Sequence, residues 1–222
     1  MSSPNVLLTV LVLLLAAGSV FADKTAEEEE APPAAAARKR GPQRIYPPTV
    51  DVSAAGAKAI ELFDANKDGK ISSDELDKCP GIKAALAQID PSGKGEVTDG
   101  KIAARIKAWQ ASRLGRMSIS CTVKHDGKPL ADATVKFVPE KFLGENVKTA
   151  SGKTDANGVA MISIPTTDRK DPPGVAPGLY RVEITKADEP IPAKYNTETT
   201  LGQEVALDAA HIREGLKFDL EY

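Results

Sequence analysis

The chain has 222 residues, with 31 acidic against 29 basic side chains and a net charge of −2. Apolar residues make up 41% and charged residues 27%, the balance of a soluble globular protein with room for one or two domains. The absence of a basic excess argues against nucleic acid as a partner, and aromatics at 5% leave a core that must be mainly aliphatic.

Residues 1–22 carry no charged side chain, and Val6 to Ala17 is apolar apart from Thr9. Val20-Phe21-Ala22 then places small residues at the −3 and −1 positions before Asp23. This predicts a secretory signal peptide cleaved after Ala22, and a protein that is secreted, periplasmic or at the cell surface. The alternative is an uncleaved anchor. Val6 to Ala22 is 17 residues, the short edge of a membrane span, and no Lys or Arg precedes it. Only in that case would the chain meet a membrane. Residues 23–52 read as a disordered linker: the Glu27 to Glu30 run, Pro32-Pro33, Ala34 to Ala37, Arg38-Lys39-Arg40 and Pro47-Pro48 cannot bury enough apolar surface to offset ordering. An oxidising compartment permits a disulfide between Cys79 and Cys121; two separately buried thiols are the other reading.

Residues 53–113 are dominated by Ala and other good helix formers, with apolar positions three to four apart. Within them, Asp64 to Glu75 reads DANKDGKISSDE, which fills the pattern D-x-[DN]-x-[DN]-G-x5-E. Each position has a task. Asp64, Asn66 and Asp68 offer side-chain oxygens from alternate residues. Gly69 permits a sharp turn. Lys70 offers its carbonyl, so that its ammonium can point away. Ser72 ligates directly or through water, and Glu75 supplies two carboxylate oxygens. A set of six or more oxygens suits Ca²⁺ better than Mg²⁺, which keeps its waters. Ala59, Ile60 and Phe63 before the loop, and Leu76 and Cys79 after it, form apolar stripes. On these residues the segment resembles the EF-hand family.

Asp90 to Lys101, DPSGKGEVTDGK, aligns as a degenerate copy. Asp90, Ser92, Gly95, Val97 and Thr98 fit, and Ile82, Ala85, Leu86 and Ile89 lead in, with Ile102, Ile106 and Trp109 leading out. Lys94 and Lys101 stand where carboxylates belong, at positions 5 and 12. The second loop therefore reads as calcium-free and structural, with Val97 pairing with Ile71. Cys79-Pro80-Gly81 truncates the helix between the loops. Short helices favour a calcium-stabilised module over a sensor that swings open.

From residue 117 the pattern changes to alternating Val, Ile, Thr and Tyr with Gly, Pro, Asn and Asp punctuation, and the boundary falls near Ser112 to Arg116. About seven strands are predicted, enough for an antiparallel β-sandwich over 117–222. The expected fold class is therefore a helical pair followed by a sandwich. The phrases Val123 to Pro139, TDANG (Thr154 to Gly158) and PGLYRVEI (Pro177 to Ile184) resemble the carboxypeptidase regulatory-like, transthyretin-like domains. PAKYNTETTL (Pro192 to Leu201) followed by FDL resembles a secreted version of that domain widespread in planctomycete bacteria. The resemblance implies an accessory or adhesion-like module without catalysis of its own.

His211 and Glu214 have the H-x-x-E spacing of zinc carboxypeptidases, but zinc catalysis needs a third ligand and His125 is the one other histidine. No enzyme is expected. The sequence supports an extracytoplasmic Ca²⁺-binding protein with a sandwich that engages an unidentified envelope protein or glycan. A surface adhesion module in which calcium is incidental is the alternative, and an accessory factor of a peptidase is a remote one.

Overall fold

A computed structural model describes residues 45–166 and 172–222. The expected signal peptide and most of the expected linker lie outside the described residues.

The helical part is built from short pieces. Helix α1 (Val52–Phe63) starts where the Asp51 carboxylate accepts the Ala54 N–H at 2.9 Å, and it buries Ala55, Gly56 and Ala59. Helix α2 (Asp74–Asp77) is a single turn. Pro80 cannot continue it, but opens α3 (Pro80–Ala84), where a missing N–H has no partner to lose. Helix α4 (Leu86–Ile89) follows a break at Ala85. The apolar residues Ile82, Ala85, Leu86 and Ile89 that lead into the second loop thus fall on two short helices and the joint between them. Tight i→i+3 bonds, Ala85 N–H to Ile82 O and Gln88 N–H to Ala85 O, both 3.0 Å, make the joint, and Ile82, Ala85 and Ile89 all stay buried. Helix α5 (Asp99–Ala111) buries Ile102, Ile106 and Trp109 at helical spacing. It packs on α1 at Gly56, where any Cβ would lie 2.5 Å from the Asp99 carbonyl oxygen.

Among the described residues the strands are β1 (Ile119–His125), β2 (Lys128–Pro129), β3 (Thr134–Pro139), β4 (Ala150–Lys153), β5 (Val159–Ile162), β6 (Gly178–Thr185), β7 (Gly202–Val205) and β8 (Leu216–Leu220). One sheet runs β2-β1-β5 with β8 also on β1; the other runs β4-β3-β6-β7. All pairings are antiparallel except β1 with β8, which is parallel. That corrects the expectation of a purely antiparallel arrangement. Strand β8 comes to β1 from β7 in the other sheet, and such a crossover is free of the hairpin geometry that enforces antiparallel pairing. Alternation sets the faces: Leu216, Phe218 and Leu220 of β8 are buried while Lys217 and Asp219 are exposed.

Strand β6 departs from simple alternation. Tyr180, Val182 and Ile184 are buried as one face, yet Leu179 on the other is also fully buried. The cause is α3, which lies against β6 and β7. Two glycines allow the approach. A Cβ on Gly202 would fall 1.8 Å from the Pro80 carbonyl oxygen, and one on Gly81 would fall 2.8 Å from the Glu140 side chain. The helices and the sheets consequently share one hydrophobic core, within the compact unit Pro42–Tyr222.

Polar contacts close the same junction. Arg105 donates to Glu204 through Nε at 2.5 Å and to both oxygens of Asp208 at 2.7 and 2.8 Å, and Trp109 Nε1 donates to Glu204 at 2.9 Å. Glu140, buried, accepts the Gly81 N–H at 2.9 Å. Burial pushes the pKa values of both Glu140 and Glu204 upward against those hydrogen bonds. Cys79 and Cys121 are free and buried, and burial raises the Cys121 thiol to about 12. Residues 45–51, read from composition as the end of the linker, lie on this body. Val50 is buried, its carbonyl accepts from Gln110 at 2.9 Å, and Thr49 O accepts from Asn146 at 2.8 Å.

Candidate metal centre

The segment Asp64 to Glu75 connects α1 to α2, and Asp90 to Lys101 connects α4 to α5. Each loop turns through a left-handed glycine at its sixth position, Gly69 (φ 82°) and Gly95 (φ 71°). A Cβ would meet nothing within 4 Å at either, so the backbone conformation and not space calls for glycine. Two residues further on the loops join. Ile71 N–H donates to Val97 O at 2.8 Å and Val97 N–H to Ile71 O at 3.0 Å, the pairing expected from sequence. Both side chains are fully buried, worth roughly 1.5–3 kcal/mol apiece.

In the first loop the oxygen-bearing side chains fold inward onto backbone N–H groups. Asp64 accepts from Asp68 at 3.2 Å and from Gly69 at 2.9 Å. Asn66 accepts from Asp68 at 2.9 Å, and Asp68 from Lys70 at 3.0 Å. Glu75 is the buried member, 8% exposed. It reaches back from the start of α2 so that one oxygen accepts from Ala65 and Asn66 at 2.8 and 3.2 Å, and the other from Ser72 at 3.1 Å. The Ser72 N–H, followed by those of Asn66 and Ala65, holds Glu75 below the usual carboxylate range. The Lys70 ammonium is turned out of the loop to Glu96, at 2.8 Å.

The donor set suits a hard cation in type: carboxylate, amide, hydroxyl and carbonyl oxygens, with no sulfur or imidazole among the six residues. A carboxylate has about four lone-pair sites, so the N–H contacts leave acceptor capacity on Asp64, Asp68 and Glu75. Among the described residues no three His, Cys, Asp or Glu side chains converge as a ready-made cluster.

The second loop is organised differently. Lys101 Nζ lies 2.9 Å from Asp90 Oδ1 and 2.8 Å from the Glu96 carbonyl oxygen. Asp90 also accepts from the Ser92 hydroxyl at 2.5 Å and the Glu96 N–H at 3.3 Å, and its side chain is 1% exposed. The Ser92 hydroxyl, then the Lys101 ammonium, hold Asp90 far below the usual carboxylate range. Sequence reasoning took Lys101 only as a missing ligand and missed this contact. It also missed Glu96, although Lys70 and Glu96 stand at the same seventh position of their loops and carry opposite charge.

The other candidate, His211 with Glu214, is an exposed pair with Nδ1 3.5 Å from the carboxylate. His125 is engaged elsewhere, stacked on Tyr222 at 4.0 Å with Nδ1 3.2 Å from Glu189. No described helix is long and apolar enough to cross a membrane. Comparison of the chain with family models, with curated proteins and with solved structures found no match.

Proposed function

We propose that this chain is an extracytoplasmic calcium-binding protein: an EF-hand pair with one competent loop, joined to a carboxypeptidase regulatory-like β-sandwich that serves as a non-catalytic interaction module. The ligands are Asp64, Asn66, Asp68, the Lys70 carbonyl, Ser72 and Glu75. One observation carries the reading. Glu75 is drawn back across the loop and buried there, held by three N–H groups from both ends of the segment. A solvated acidic turn has no reason to bury its last carboxylate, since burial of an unpaired charge is costly.

When bound, Ca²⁺ would supply the positive charge that neutralises the carboxylates of Asp64, Asp68 and Glu75. The residues do the positioning. Gly69 sets the turn, the Lys70 side chain removes its charge to Glu96, and Ile71 fastens the loop to its neighbour. The short α2 and the glycine-mediated seating of α3 on the sheet support a stabilising ion over a switch, because neither leaves a long lever to swing. The module's partner is an envelope protein or glycan.

Calorimetric titration of chelator-stripped protein tests the reading, with melting followed in parallel. One equivalent of Ca²⁺ should bind and raise the melting temperature. No heat and no shift would refute it.

A further inference from the structure

We propose that the second loop is also a cation site, and that its occupant is the chain's own Lys101 ammonium. The ammonium touches the side chain of the loop's first residue, Asp90, and the carbonyl of its seventh, Glu96. Those are the positions whose counterparts in the first loop, Asp64 and Lys70, are assigned to the ion. Both contacts are short and charge-assisted, and the Asp90 carboxylate that receives the first is almost wholly shielded from water.

The count of donors explains why an ammonium serves here. Calcium wants about 6–8 oxygens, and this loop has lost two of its carboxylates to Lys94 and Lys101. An ammonium has three N–H donors and is satisfied by as many acceptors. Asp90 and the Glu96 carbonyl provide two, within a loop too poor in oxygen for the metal. The residue that removes the bidentate ligand thus also brings the replacement charge. It sits at the twelfth position, on the first turn of α5, so its stem reaches back over the loop as Glu75 does in the first. An Arg there would present a wide planar fork and could not act as a compact point charge.

The consequence reaches the neighbouring loop. Asp90 and Lys101 hold the Glu96 backbone from both sides, N–H to Asp90 and carbonyl to Lys101. Val97 follows directly and pairs with Ile71 through two hydrogen bonds. Glu96 itself takes the Lys70 ammonium. A loop kept closed by a tethered cation therefore holds one side of the first loop in place whether calcium is present or not. Lys101 is a positioning residue for the first loop. That last step rests on the calcium reading above; the occupancy of the second loop does not.

The test uses the full chain in chelator and then in calcium. In the wild-type protein, NMR of lysine ammonium groups should show Lys101 protons exchanging with water at least tenfold more slowly than those of the exposed lysines. Exchange at the same rate as theirs overturns the proposal without any variant. Lys101→Met strands a buried carboxylate. In chelator it should lower the melting temperature by about 4–8 °C and speed amide exchange at Ile71 and Val97 about tenfold. The double variant Asp90→Asn, Lys101→Met should recover at least half of that loss, because both partners of the pair are then gone. Calcium should still bind Lys101→Met at one equivalent, about 5–10-fold more weakly. An unchanged melting temperature and unchanged exchange in Lys101→Met would overturn the inference, as would a second calcium equivalent bound by the wild-type chain. If the wild type binds no calcium while Lys101→Met still loses stability in chelator, the tethered cation stands and the proposed function falls.

Discussion

The two loops have the same length, turn at the same left-handed glycine and are fastened to each other at the same residue, yet they differ in the sign of the side chain at the twelfth position. Glu75 gathers backbone N–H groups, whereas Lys101 gathers a carboxylate and a carbonyl oxygen. The first loop closes on its own backbone N–H groups and the second on an internal ion pair. The difference teaches that one side chain at the twelfth position can decide which groups such a loop closes on.

The sharpest way to break the comparison is to undermine the scaffold on the second loop's side. Helix α5 leaves that loop and is fixed to β7 by Arg105. Arg105→Ala leaves Glu204 buried without its cation, one of whose oxygens already has no partner. It should cost about 3–5 kcal/mol, read as a fall of more than about 6 °C in melting temperature with calcium present. A smaller effect is confined to the first loop. Calcium at about a hundredfold over its Kd should stabilise by about 2.7 kcal/mol, or about 5–10 °C in melting temperature. Glu75→Gln should abolish that increment and weaken binding about 100-fold by calorimetry.

Acid should separate the loops from the junction beneath them. Asp90 and Glu75 have depressed pKa values, so their contributions are present above the ordinary carboxylate range and are lost as pH falls through it and below. Glu140 and Glu204 have raised values, so their contributions are present at low pH and are lost as pH rises through those raised values. Amide exchange at pH 3, corrected for intrinsic rates, should therefore show Ile71 and Val97 losing protection relative to pH 6 while Gly81 keeps its own. The smallest effect is a gain. Lys101→Glu removes the tethered cation and restores a carboxylate, and should create a second calcium site with a Kd of about 10⁻⁴–10⁻³ M, visible as a second calorimetric phase.

What could be read from the sequence was what is local. Asp64, Asn66, Asp68, Gly69 and Glu75 are legible because a loop's chemistry is written in consecutive residues, and Ile71 with Val97 because the two loops repeat it. Tyr180, Val182 and Ile184 followed from alternation. The partners of Arg105 lie 99 and 103 residues away in Glu204 and Asp208, and no period or motif links them. Alternation describes one sheet and is blind to a helix laid upon it, so it does not foretell the burial of Leu179. The same blindness hid Gly81 and Gly202, whose missing side chains make that seating possible. The parallel run of β8 beside β1 was beyond reach for a related reason, since it depends on which sheet a long connection returns to. The contact of Lys101 with Asp90 and the Glu96 carbonyl was out of reach, because a loop pattern gives the residue type at a position and not where a four-carbon stem carries its ammonium.

Residues 45–51 give the body a mechanical property. The Ile45 backbone is seated against Gly115, where a Cβ would lie 2.1 Å from its carbonyl oxygen, and Thr49 and Val50 are gripped by Asn146 and Gln110. A pull arriving at residue 45 is therefore shared between the start of the β part, the loop after β3 and the end of α5 before it reaches α1. Tension is diverted into the bulk of the fold, and the Asp64–Glu75 loop at the far end of α1 is strain-relieved, as a cable is by the clamp at its socket.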